Sequence, residues 1–325
     1  MLFLPDAPAQ PLARVITPGP ATSVQDLGRQ GLAHLGLAQG GALDMNAHAW
    51  ANHLLGNPVQ AASLEITCGG LRLEILQTAY LACVGAPLQM IRNQKIIPMQ
   101  MNFQVQAGDQ LSFTYQGQGM RSYLAVAGGW QVPVCFGSRS TVLREACGGF
   151  QGRFLQAQDL LKGLPQITSS SYSSRGVGRT YQGWPLPKPL VLRILPSYQV
   201  QDFSPYAQHL LSQHTYQVSP QSNRMGYRLT GEVIPTPATN YASEGITLGA
   251  IQIPSDGQPI ILLRERQNVG GYAKIGTVLP RDLDKLAQCP AYYPIRFTWI
   301  TEKEMPSIYA QHQAWLDFFG LTDGT

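Results

Sequence analysis

Phe103-Gln104-Val105-Gln106-Ala107-Gly108-Asp109-Gln110-Leu111-Ser112-Phe113-Thr114-Tyr115 decides the fold class. Apolar and polar residues alternate with period two on both sides of a Gly-Asp turn. Each arm therefore puts one set of side chains on a core face and the other toward water. Working outward, Leu71-Arg72-Leu73-Glu74-Ile75 alternates in the same way. Tyr80 to Val84, Ser122 to Ala127, Leu190 to Leu195 and Pro259 to Leu263 are apolar runs short enough for strands buried on both faces. With 33 glycines and 24 prolines in 325 residues, turns recur as they do in barrels or sandwiches, not in a doubly wound sheet. The chain is expected to be mainly β.

A few short helices interrupt this pattern. Between Asp44 and Gly56, Ala47, Trp50, Ala51 and Leu54 recur at helical spacing; Asp44 suits the N-cap, Gly56 the C-cap, and Pro58 stops the chain beyond. Ser204-Pro205 opens a second helix, predicted to turn Tyr206, Leu210 and Leu211 toward the interior. A C-terminal helix starts around Pro306, gathers Met305, Ile308, Tyr309, Leu316 and Phe319 on one face, and is expected to dock on its own chain. The Ser/Gly-rich stretch from Thr168, followed by Trp184-Pro185-Leu186-Pro187-Lys188-Pro189, reads as a boundary. It predicts a first lobe at residues 12–185, a second at 186–302 and a helical tail at 303–325.

Composition excludes several functions. The charged fraction of 13% is about half the usual level, and the 23 basic residues form no run that would track a nucleic-acid backbone. No apolar stretch is long enough to span a membrane, and the first residues lack the basic start of a signal peptide. Five widely spaced cysteines (Cys68, Cys83, Cys135, Cys147, Cys289) predict reduced thiols in a cytoplasmic protein, each read as a small buried hydrophobe. The sequence has no Gly-Lys-Ser/Thr loop, no Gly-x-Ser-x-Gly elbow and no His-Glu-x-x-His pair. His48 and Asn52 share a helical face and read as surface or cap residues, so no metal is expected.

What remains are polar clusters set in turns. Ser23-Val24-Gln25-Asp26-Leu27-Gly28-Arg29 combines an amide, a carboxylate and a guanidinium. Either Arg29 and nearby N–H groups receive an anion, or Asp26 and Arg29 pair with each other to brace a turn. Glu65 sits in the otherwise apolar Ser63-Leu64-Glu65-Ile66-Thr67, where a carboxylate must face solvent, find a partner or serve a site. The second lobe carries Ser222-Asn223-Arg224-Met225-Gly226, Ser243-Glu244-Gly245, Gln252 and Arg266-Gln267-Asn268-Val269-Gly270-Gly271-Tyr272. These suit an amide-containing substrate, although Gly270-Gly271 fits a plain hairpin turn equally well.

In order along the chain, Val24-Gln25-Asp26-Leu27-Gly28-Arg29, Gly41-Ala42-Leu43-Asp44, Leu64-Glu65-Ile66-Thr67, Gly137-Ser138-Arg139-Ser140-Thr141, Ser222-Asn223-Arg224-Met225-Gly226 and Gly270-Gly271-Tyr272-Ala273-Lys274-Ile275 resemble the allophanate-hydrolase-subunit-2/KipA family. That family takes in the C subunits of 5-oxoprolinases and is related to biotin-dependent carboxyltransferases. The resemblance implies two cyclophilin-like β-barrel lobes and a cytoplasmic component of an ATP-dependent hydrolase of a lactam or amide. It also implies a subunit-B partner of the allophanate-hydrolase-subunit-1 type, together with an A subunit, and ATP shared with those partners. On the same resemblance, no biotin or metal is expected to be attached to this chain. Two other activities fall within the resemblance: the carboxyltransferase component of a urea-carboxylase-like enzyme, and a KipA-like regulator of a kinase inhibitor.

On that resemblance, Asp26, Glu65 and Glu244 are candidates for proton handling. Gln25, Arg29, Asn223, Arg224, Gln252, Gln267, Gly270, Gly271 and Tyr272 are candidates for substrate binding. Two segments depart from the family pattern. Leu195-Pro196-Ser197-Tyr198-Gln199 stands where Arg-Pro-Gly-Pro-Gln is usual, and Arg264, Arg266, Asn268 and Val269 replace an acid and two hydroxyls.

Overall fold

The computed structural model describes residues 3–166, 175–176, 185–237 and 241–321. Most of the Ser/Gly-rich boundary read from the sequence lies outside the described residues. The chain divides into two units. One takes Met1–Arg29, Gly40–Trp184 and Phe318–Thr325; the other takes Gln30–Gln39 and Pro185–Asp317.

The first unit is built from two antiparallel sheets. The six-stranded sheet runs Leu160–Gly163, Gln10–Pro18, Leu71–Ile75, Gln110–Tyr115, Leu88–Arg92, Lys95–Ile97. The five-stranded sheet runs Ala21–Gln25, Ser63–Thr67, Arg121–Val126, Ala79–Gly85, Asn102–Val105. The period-two reading explains the first: Leu71, Leu73 and Ile75 are buried while Arg72 is exposed between them. Leu111 and Phe113 join the same core. Strand Ala79–Gly85 is buried at every position, as its unbroken apolar run requires, because the helix Met45–His53 covers the face of the sheet turned away from the core. Asp44 caps that helix by accepting from Ala47 N at 2.9 Å. The helix ends at Leu54, before Gly56, whose φ of +68° belongs to the turn that follows.

The second unit closes into a seven-stranded barrel: Leu190–Pro196, Ala273–Val278, Ala250–Ile253, Ile260–Leu262, Gly226–Thr230, Tyr216–Val218, Pro294–Trp299. Closure comes from a parallel pairing of the first strand with the last, Leu190 opposite Ile295 through Ile194 opposite Trp299. Closing the sheet removes its exposed edges. A two-stranded ribbon, Glu244–Gly245 with Val269–Gly270, stands outside the barrel ladder. Gly270-Gly271 is thus no hairpin turn, since Gly270 pairs across to Glu244. The mainly β architecture expected from the sequence is the one observed, and among the described residues no helix is long and apolar enough to cross a membrane.

Several local expectations are corrected. In the helix Pro205–Gln213 the buried residues are Ala207, Leu210 and Leu211, while Tyr206 is exposed. Its bulky ring occupies the first turn, one position off the inward stripe. The C-terminal helix Met305–Phe318 buries no residue, and Tyr309 points to solvent. Of the expected face, Ile308, Leu316 and Phe319 are half-buried; Arg281 lies 4.5 Å over Trp315, and Phe318 and Phe319 pack 5.4 Å and 5.5 Å from Trp50. His48 and Asn52 are fully buried. His48 reaches Ser63 Oγ at 2.8 Å and Val59 O at 2.9 Å, and Asn52 donates to Ala61 O at 2.9 Å. They tie the helix to the strand beneath it, which helical spacing alone does not reveal.

Candidate functional site

In the first unit, the two charged residues of the 23–29 stretch do brace a turn, but not by pairing with each other. Asp26 is buried and accepts from Gly28 N at 2.8 Å, Ser138 Oγ at 2.6 Å, Arg139 N at 2.5 Å and the Ser140 hydroxyl. Arg29 is 2% exposed and donates through Nε to Cys135 O at 3.1 Å and through Nη2 to Ser140 O at 2.8 Å. Both groups thus hold the segment from Cys135 to Thr141 against the first strands. Gly148 is required for this fit. Its φ is +68°, and a Cβ there would stand 2.1 Å from Ser140 O and 2.2 Å from Arg29 Nη2. Gln25 joins the same network, donating to Ser23 Oγ and Thr141 O, while its Oε1 is buried without a partner.

Replacing Asp26 with alanine is expected to strip the acceptor from these donors and lower stability by about 3 kcal/mol. Urea unfolding of D26A measures this. A midpoint equal to that of the parent chain would reject the bracing role.

Glu65 serves a second internal network. It is 1% exposed and accepts from Leu43 N at 3.0 Å and from the Tyr123 hydroxyl at 2.7 Å, with Arg121 Nε at 3.6 Å from its other oxygen. Tyr123 in turn accepts from Asp44 N at 2.8 Å. Burial first, then the carboxylates of Glu65 and Asp44, push the Tyr123 phenol well above its ordinary pKa, so it stays a donor. The chain of bonds fixes the entry to the helix Met45–His53.

In the second unit, a cavity of about 140 Å³ is lined by Asn223, Gln252, Gln267, Tyr272, Arg228 and Arg266, among others. Four of the residues chosen from the sequence therefore meet in one place. Gln252 is buried and its Nε2 has no hydrogen-bond partner. Gly270 permits that amide's position, because a Cβ there would lie 3.2 Å from Gln252 Nε2 and 2.7 Å from Ile246 Cδ1. Arg224 stands apart from the cavity lining. It is buried and its Nε meets Glu265 Oε1 at 2.5 Å.

Glu244 belongs to a cluster that sequence reading only half saw. It is paired with Lys274, accepts from the Tyr198 hydroxyl, and accepts from Gln199 Nε2 at 3.0 Å. Lys274 is 6% exposed and lies opposite Gln252 in the barrel ladder, so both side chains leave the same face. Hydrogen bonds from Lys274 and then Tyr198 hold the Glu244 carboxyl below the usual range. Lys274 carried one signal in the sequence, a lone lysine inside an apolar strand. Tyr198 and Gln199 come from the first departing segment, and so that segment supplies partners to Glu244.

The second departing segment anchors a loop. Arg266 Nη1 donates to Gln39 Oε1 at 3.3 Å, and Asn268 Nδ2 to Leu37 O at 3.1 Å. Residues 30–39 are thereby held beside the cavity wall. Burial, with the positive charge of Arg264, pushes Arg266 down to about 10, which leaves it cationic at neutral pH. Among the described residues, no group of three or more His, Cys, Asp or Glu is placed to hold a metal ion.

Comparison with known proteins gives four findings. The profile of the carboxyltransferase domain, subdomain A and B, matches residues 35–299. The C subunit of the 5-oxoprolinase of Escherichia coli (strain K12) is 36% identical over 294 residues, which cover 90% of this chain and 93% of that protein. The urea amidolyase of Lachancea kluyveri is 30% identical over 312 residues, but the match takes in only 17% of its length. In three dimensions, the crystal structure of the Kluyveromyces lactis urea carboxylase superposes with a TM-score of 0.86 at 24% identity, over 96% of this chain and 29% of that one, which shows the shared fold.

Proposed function

This chain belongs to the carboxyltransferase domain, subdomain A and B, family, and from that premise we propose that it is one component of a 5-oxoprolinase-type complex. In this reading it acts with a subunit-B partner and an A subunit to open a small cyclic amide. The observation that carries the proposal is the buried, unpartnered Gln252 amide in a cavity shared by Asn223, Gln267 and Arg266. Its Nε2 offers a donor to a lactam carbonyl, and Arg266 offers charge to a substrate carboxylate. Lys274 stabilises negative charge that develops beside Gln252, and Glu244, kept ionised by Lys274, accepts a proton. Gly270 gives the substrate access to the amide, Tyr272 lines the cavity with Gly271 next to it in the chain, and Asp26, Glu65, Gln25, Arg29 and Arg224 hold the scaffold.

ATP supplies the driving force for opening the lactam in such a complex. Among the described residues, the anion-binding candidates read from the sequence do not present the convergent free donors that a triphosphate needs. Arg29 is buried and gives Nε and Nη2 to carbonyls, Arg224 pairs with Glu265, and Asp44 caps the N-terminus of the helix Met45–His53. We therefore assign nucleotide binding to the partner proteins. A cytoplasmic setting accords with the five free cysteines.

Reconstitution tests the assignment. The chain alone is expected to turn over neither 5-oxoproline nor ATP, whereas the three-component mixture forms glutamate and ADP. A complete, folded complex that leaves 5-oxoproline untouched would remove it. The family match and the kinship with urea amidolyase support a second reading, carboxyl transfer to a urea-like nitrogen. No Met-Lys-Met biotin site occurs in this chain, so that activity requires a separate biotinylated carrier. Carboxylation of urea by the chain with such a carrier would favour it over lactam opening.

A further inference from the structure

The sequence reads Cys135 and Cys147 as small buried hydrophobes, yet both are only half-buried and their sulfur atoms lie 2.7 Å apart. That distance is inside the contact distance of two unbonded sulfurs and longer than the about 2.05 Å of a disulfide. Short backbone pairings, Cys135 with Ser138 and Val142 with Cys147, hold the two ends of the intervening loop in place. Both thiols line an open cavity of about 720 Å³, together with Val134, Gly148 and Phe150.

Their surroundings are unequal. The hydrogen bond from Cys147 draws the Cys135 thiol below its ordinary pKa. Burial opposes this, and the backbone N–H of Gly148 and the Arg29 guanidinium add to it. Burial first, then the hydrogen bond to Cys135, pushes Cys147 up. Arg29, whose Nε holds the Cys135 carbonyl, leaves Nη1 buried without an acceptor. A guanidinium, an amide N–H and a neighbouring thiol thus all favour a thiolate at one sulfur.

We propose that Cys135 and Cys147 form a redox-active dithiol that a peroxide converts reversibly into an intramolecular disulfide, with Cys135 attacking and Cys147 resolving. In the first step the Cys135 thiolate attacks a peroxide oxygen. The S–O bond forms, the O–O bond breaks, and the departing oxygen leaves as water after taking a proton. In the second, the Cys147 sulfur attacks the Cys135 sulfenic acid; the S–S bond forms, the S–O bond breaks, and a second water carries off the proton of Cys147. Two thiols lose two electrons, and one hydrogen peroxide becomes two waters. A dithiol reductant reverses the change. The loop so closed contains Ser138, Arg139 and Ser140, the donors that hold Asp26. Oxidation therefore locks the brace of the first unit.

The test uses the purified full chain and hydrogen peroxide. Its intact mass is expected to fall by two hydrogens and to return with dithiothreitol, and peptide mapping is expected to join Cys135 to Cys147. Limiting iodoacetamide should label Cys135 on the order of 10-fold faster than Cys68, whose thiol burial pushes up. In Cys147→Ser, Cys135 should accumulate as a dimedone-reactive sulfenic acid. A disulfide joining other cysteines, absence of any cross-link, or faster labelling of Cys68 than of Cys135 would each overturn the proposal. The wild-type mapping decides it even where a cysteine variant fails to fold.

Discussion

Replacing Glu65 with alanine is expected to destabilise the protein by about 3–5 kcal/mol, the loss that follows removal of one partner from a buried charged network. Glu65 is 1% exposed, accepts from Leu43 N and the Tyr123 hydroxyl, and faces Arg121. Without it, two buried donors lose their acceptor in a place that water does not reach. Total stabilities are about 5–15 kcal/mol, so the variant should populate unfolded chain well below the parent's melting temperature. Urea and thermal unfolding followed by tryptophan fluorescence measure the effect. E65Q keeps one acceptor oxygen and should fall between the two. A folded E65A with the parent's midpoint and no activity in the reconstituted complex would return Glu65 to the catalytic role that its sequence position suggested.

The second large effect is expected at Lys274. K274M preserves length and apolar volume but removes the cation beside Gln252 and Glu244. In the reconstituted complex, turnover should fall by on the order of 10²–10³-fold, as when one preorganised charge-stabilising donor is lost. Folding should be retained, because methionine packs where the lysine stem did. The pH profile gives an independent reading. Glu244 is held below the usual carboxyl range, with Lys274 as the leading cause. The ionised pair therefore persists at neutral and mildly acidic pH and is lost only as pH falls through the lowered folded value. Deleting Lys274 should move the acid limb of residual activity to higher pH. An unchanged acid limb with full turnover would show that this cluster lies outside the reaction.

The two predictions divide the carboxylates by environment. Asp26 has both oxygens bonded to buried donors, and Glu65 has two donors on one oxygen and Arg121 facing the other. Glu244 sits on a short ribbon, a third of its side chain exposed, with a lysine and a phenol as partners. Polar residues in turns read alike in one dimension, since burial depends on what other segments cover them.

From the sequence alone, the alternation of Leu71 to Ile75 and Gln110 to Tyr115 and the apolar run of Tyr80 to Val84 determined that this is a β protein and which faces enter its core. Period two is a local property of the backbone and needs no distant partner to be read. The Asp44 cap was legible for the same reason, as a residue type at short spacing, whereas Asn223, Gln252, Gln267 and Tyr272 were named as candidates through the family resemblance and lie together in the fold. Only the tertiary structure decided that Asp26 and Arg29 clasp the segment after Cys135, that Lys274 meets Glu244, that Arg266 and Asn268 hold residues 30–39, and that two cysteines face each other. Each of these contacts joins positions far apart in the chain. Which polar group meets which is set by strand register and closure, and the pattern of a single strand carries no record of its neighbour.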